Sequence, residues 1–169
     1  ALPPEDLSTA MTIGVEDGGQ DFHEAAMAYL ETTNNQNERG TILGVLAGRG
    51  DESIVTDLLT RVMNGDYSTD ESYRVVASAL GNPSAQDKAW GIISADFETL
   101  LSRLPEIRKP QIAGATGYFC SARKASEAQD FFESHAALIP GYERSLAQGV
   151  ERARLCSALR AQKALDVKN

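Results

Sequence analysis

"NPSAQDKAWGIISADFETLLSRLP", residues 82–105, holds the only tryptophan of the chain and decides how the rest is read. Its large apolar side chains fall at Trp90, Ile93, Phe97, Leu100, Leu101 and Leu104, a three-four spacing that puts them on one side of a helix. The spacing predicts one long helix over 84–104, opened by Ser84 with Asp87 and stopped by Pro105, whose ring cannot continue it. Such a stripe either binds something along its length or is buried between helices.

The sequence around this stretch favours burial. Turn signals recur at 16–21 (EDGGQD), 34–37 (NNQN), 48–51 (GRGD), 64–68 (NGDYS), 81–84 (GNPS), 104–110 (LPEIRKP) and 139–142 (IPGY). Between them no stretch alternates polar and apolar residues, and β-branched residues never cluster. The predicted helices run over 5–16, 21–33, 37–48, 52–64, 69–81, 84–104, 110–120, 124–138 and 142–165. Ser68 with Glu71 has capping-box spacing. Gly48 and Gly81, 33 residues apart, each close a similar plan of helix end, capped turn and apolar helix. A period of that size with two helices per unit predicts an all-α solenoid of antiparallel helix pairs, similar to HEAT or armadillo repeats. Each pair leaves an apolar stripe for its neighbour, so Trp90 and its companions are expected at a seam, with a ligand groove as the alternative. No linker is evident, and residues 1–169 are read as one helical-repeat domain.

Composition narrows function further. The 169 residues are 42% apolar and 24% charged, values ordinary for a globular domain. No run approaches the roughly 18 apolar residues of a membrane span. Net charge is −8 but uneven: residues 1–75 carry 14 acids against 4 arginines, and residues 76–169 carry 10 acids against 12 lysines and arginines. An acidic half argues against a nucleic-acid surface, which needs clustered cations. The mildly basic second half could meet acidic partners or carboxylates, or be a solvated face. Because the chain opens on Ala1, it is expected to be a fragment of a longer protein whose leader is not visible; a cytoplasmic setting is favoured.

Catalytic signals are thin. "HEAAM" at 23–27 is one residue short of the HExxH zinc helix, with Met27 where the second histidine would stand. A thioether is a poor zinc ligand there, so the segment reads as a surface-leaning amphipathic helix. His135 lies far away at no ligand spacing. There is no GxSxG, and "GVLAGRGD" (44–51) lacks the Lys-Ser/Thr of a phosphate loop. Cys120 and Cys156 have no CxxC partner; two free buried thiols are expected ahead of a disulfide. No catalytic residue, metal ligand or cofactor site is assigned to this chain.

The second half, taken in order, resembles the C-terminal helical domain of the zinc aminopeptidases of the alanyl and puromycin-sensitive type, the gluzincin aminopeptidases. The resemblance is carried by Ala89-Trp90 after a charged helix start, Phe119-Cys120, Phe131-Phe132, and Leu146-Ala147-Gln148 with Glu151 and Cys156. "ERGTILGVLAGRGDESIVTDLLTRVMNG" (38–65) fits the helix pair before them, so the likeness covers about 37–157 and, more weakly, 1–36. Lys88 stands where an arginine is expected and Ile93 where an aromatic is frequent.

The resemblance implies a non-catalytic domain of a bacterial-type aminopeptidase that walls a peptide chamber and supports the catalytic domain of the same polypeptide. In that parent, an HExxH helix and a distal glutamate would bind Zn²⁺ and a glutamate would activate its water; none of those motifs is in this chain. Arg144, Arg152, Arg154 and Arg160 could take a peptide's terminal carboxylate, pair with surface acids, or meet the catalytic domain. An excised domain would also expose apolar surface and tend to self-associate. The rival expectation is a free-standing helical-repeat scaffold without enzymatic activity.

Overall fold

Local rules explain most helix ends. The computed structural model describes residues 4–166, most of which are helical and none of which lies in a strand. The chain divides into two compact units, Ala1–Pro105 and Glu106–Asn169. The first unit holds α1 (Pro4–Thr32), α2 (Gln36–Arg49), α3 (Glu52–Asn64), α4 (Thr69–Leu80), α5 (Gln86–Ala95) and α6 (Phe97–Ser102). Asn35 caps α2 and Asp51 caps α3, each accepting two backbone N–H groups of the first turn. Ser68 and Glu71 form the expected capping box at α4. Gly65, at φ 85, ends α3 in the left-handed conformation that glycine adopts without a Cβ penalty.

Four expectations need correction. The break expected over 16–21 narrows to one residue: Gly19, at φ 53 and ψ −139, interrupts an otherwise continuous α1. Gly48 lies inside α2, which runs on to Arg49 and is capped by Gly50. The long helix over 84–104 is two helices. Asp96 leaves helical geometry (φ −141, ψ 65), and its carboxylate accepts the Thr99 N–H to start α6. Ser84 does not cap α5, whose N-terminus has no side-chain cap. Its backbone N–H donates instead to Asn82 Oδ1 at 3.0 Å.

Asn82 is the buried link between two turns. Its Nδ2 donates to the carbonyls of Ala47 (3.0 Å) and Gly50 (2.7 Å), so the end of α2 is tied to the α4–α5 turn. Around it Leu43, Leu46, Val55, Leu58, Leu59, Val76, Leu80, Ile93 and Leu100 are fully buried. The opening stripe therefore belongs to the core: Ile93, Phe97, Leu100, Leu101 and Leu104 are all buried, α5 against α3 and α4, and α6 against α3. Trp90 is the exception, half-buried at the edge of that stripe.

A second polar link joins α1, α2 and α4. Arg39 Nε donates to Glu71 Oε1 at 2.6 Å, and its Nη1 donates to the Leu30 carbonyl. Burial pushes the Glu71 carboxyl up, but the Ser68 backbone N–H, Arg39 and the Ser68 hydroxyl outweigh it and hold the group below its ordinary 4.5. A depressed carboxylate stabilises the fold above its unfolded value, and that contribution is lost as pH falls through the folded value. Melting temperature should therefore drop as pH is lowered from about 5 to about 3, and Glu71→Gln should flatten this dependence while lowering stability at neutral pH. An unchanged acid slope in the variant would remove Glu71 from this role.

The second unit holds a 3-10 segment (Glu106–Tyr118), α7 (Ala122–Ser134), a 3-10 turn (Ala136–Leu138) and α8 (Glu143–Asp166). The α-helix expected over 110–120 is thus a 3-10 segment. Pro110 lacks an N–H to donate, and the segment lies close along α8 at its glycines. A Cβ on Gly149 would stand 2.6 Å from Thr116 Oγ1 and 2.9 Å from the Gly114 carbonyl oxygen. Backbone cannot give way as a side-chain tip can, so Gly149→Ala should cost about 2–3 kcal/mol. Gly91, on the exposed side of α5, has nothing within 4 Å of its added Cβ, and Gly91→Ala should instead stabilise by about 0.5–1 kcal/mol. Chemical denaturation of the two variants checks the contrast; equal effects would mean that the close approach is not tight.

Candidate functional site on the last helix

α8 has two apolar faces. Leu146, Val150 and Ala153 are buried on one, with Gly149, against the 3-10 segment and α7. Leu155 and Leu159 lie about half a helical turn away from Leu146 in projection and are 59% and 71% exposed. They floor an open groove of about 660 Å³ whose rim includes Gln148, Glu151, Arg152, Arg160 and Lys163. A second groove of about 490 Å³, between α7 and α8, is edged by Glu133, Glu143, Glu151 and Arg154.

The four arginines singled out in the sequence do not converge. Arg152 and Arg160 share the first groove with Lys163, Arg154 faces the acid-edged second, and Arg144 lines neither. Steps of eight residues advance about 80° around a helix, so 144, 152 and 160 spiral away from one another. All four are exposed, and no ion pair among the described residues joins any of them to an acid. Sequence reasoning missed Leu155, Leu159 and Lys163. The signal was available: a helix whose apolar residues fall on both 146/150/153 and 155/159 cannot bury both sides against the same neighbours.

Cys120 and Cys156 form a disulfide, which corrects the expectation of free thiols. Their Cα atoms are 4.9 Å apart, bridging the end of the 3-10 segment to the middle of α8. Spacing along the chain carries no such information, because the 36-residue loop closes only through the packing of α8 on that segment. Cys120 itself sits at φ 44, left-handed and rare for a residue with a side chain.

His23 also departs from expectation. The helix around it is amphipathic, but the imidazole is buried, with Nε2 3.6 Å from Asp57 Oδ2. Asp57 also accepts from Arg61 Nε at 3.1 Å. Among the described residues no group of three His, Cys, Asp or Glu could hold a metal ion, and no helix is long and apolar enough to cross a membrane. The donor set of the described residues therefore does not fit a zinc site.

An all-helical protein with open grooves along its last helix is the class these observations define. Residues 1–155 match the ERAP1-like C-terminal domain, and the chain belongs to that family, the C-terminal domain of M1 aminopeptidases. It is 22% identical over 160 residues to Aminopeptidase M1-D of Oryza sativa subsp. japonica, covering 92% of this chain and 18% of that protein. Aminopeptidase M1-C of the same plant is 24% identical over 132 residues, covering 77% and 15%. The chain thus spans less than a fifth of the length of these relatives. They are rice proteins and give no support to the bacterial type expected from the sequence. No solved structure matches.

The two faces of α8 should respond differently to substitution. Leu146→Ala removes a buried side chain and should cost about 2–4 kcal/mol. Leu159→Ser should change stability by less than about 0.5 kcal/mol. Should Leu159→Ser prove as damaging in a denaturant titration, its face is not free.

Proposed function

We propose that this chain is the non-catalytic domain of a zinc-dependent aminopeptidase, walling the chamber into which peptides pass and supporting the catalytic domain of the same polypeptide. The family match over residues 1–155, set against coverage of under a fifth of the relatives, is the observation that carries this reading. The solenoid-like stacking of helix pairs and the zinc, held by residues outside this chain, are parts of the same proposal. Within it, Arg152, Arg160 and Lys163 present three cations beside the apolar floor of Leu155 and Leu159. Guanidinium forks match a carboxylate in geometry and charge, so this groove suits the free carboxyl end of a peptide with an apolar last residue. The same exposed leucines would drive self-association of the isolated chain.

The coding sequence upstream should contain HExxH and a distal glutamate. The intact parent should hydrolyse aminoacyl anilides and hold stoichiometric zinc, whereas the 169-residue chain alone should do neither. In the parent, Arg152→Ala with Arg160→Ala should raise KM about tenfold for peptides with a free carboxyl end. KM for amidated peptides and for anilides should be unchanged. A parent without HExxH would sink the peptidase reading in favour of a binding scaffold, and equal KM changes for free and amidated peptides would remove the arginines from it.

A further inference from the structure

The last third of α8 is held in an unusual way. Among the described side chains of α8, Ala153 is the last buried one; Cys156 and Ser157 are half-buried, and those described from Ala158 to Asp166 are exposed. From Arg154 onward, the Cys120–Cys156 bridge cross-links the helix to the rest of the unit. A helical tail with no buried face gains little per residue and frays readily in water. Cys156 also contributes to the wall of the first groove, together with Leu155, Leu159, Arg160 and Lys163. Its partner Cys120 is held at φ 44, a conformation that the bridge and its surroundings must enforce.

We infer that the Cys120–Cys156 disulfide is a redox-sensitive anchor for residues 154–166, so that the groove on α8 exists in its closed-bridge form and is dismantled when the bridge is reduced. Both cysteines are half-buried, which leaves the bridge within reach of solvent. The reductant is a dithiol. One of its thiolates attacks a bridge sulfur, the S–S bond breaks, and a mixed disulfide forms with one cysteine released as thiolate. The second dithiol sulfur then displaces the other cysteine. Two electrons and two protons pass from the dithiol to the chain, leaving two cysteine thiols and an oxidised, cyclic reductant. Cys120 is then free to leave its left-handed conformation, and no buried side chain among the described residues remains to hold α8 beyond Ala153. This inference stands without the peptidase reading, because it concerns only how α8 is held.

Hydrogen exchange on the full 169-residue chain, with and without dithiothreitol, tests it. The amides of residues 157–160 donate to the carbonyls of residues 153–156, and reduction should speed their exchange by about tenfold. Amides of residues 149–153, on the buried stem of the same helix, should stay protected. Cys120→Ser with Cys156→Ser should reproduce the fast pattern in the absence of reductant and not respond when it is added. Unchanged exchange at 157–160 would overturn the inference. So would equal acceleration over 149–153, which would make the bridge a staple of the whole unit rather than an anchor of its end.

Discussion

The second unit depends on the close approach of two backbones at Gly149. Thr116 Oγ1, the Gly114 carbonyl and the Gly117 N–H occupy the space that any side chain at 149 would need. That contact seats α8 on the 3-10 segment, turns Leu146, Val150 and Ala153 inward, and brings Cys156 to Cys120. It also decides which arginines look outward and where. A helix of the same composition seated one residue differently would rotate by about 100°, burying charge and exposing its apolar face. The exposed surface of α8 is thus a consequence of packing on its opposite side.

The first unit relies on a different device, buried and half-buried polar groups that bond across turns. Asn82 satisfies the carbonyls at the end of α2, and Arg39 spans from the Leu30 carbonyl to Glu71. Each replaces water that those carbonyls would otherwise need, so neither can be exchanged for an apolar residue without leaving a buried acceptor unpaired. The apolar core around them is permissive by comparison.

Local chemistry made much of this legible. Ser68 with Glu71, Asn35, Asp51 and Pro105 announce helix ends through groups within four residues, and the spacing of Ile93, Phe97, Leu100 and Leu104 announces a buried face. The resemblance to aminopeptidase C-terminal domains, resting on the order of Ala89-Trp90, Phe131-Phe132 and Leu146-Ala147-Gln148, agrees with the family match. The misses share one cause. Asp96 breaks a helix that propensity would continue, Pro110 and the glycines yield a 3-10 segment, and His23 turns inward toward Asp57 thirty-four residues away.

What the sequence determined by itself, then, is helical class, the positions of most breaks, the buried stripe and the kinship, because each rests on side chains acting on nearby backbone or on a repeating period. Tertiary structure alone decided that Cys120 meets Cys156, that Arg154 parts from Arg152 and Arg160, and which of the two apolar faces of α8, Leu155 with Leu159, looks to solvent. Those outcomes follow from the rotation of α8 against its neighbours, a quantity set by contacts between residues far apart in the chain.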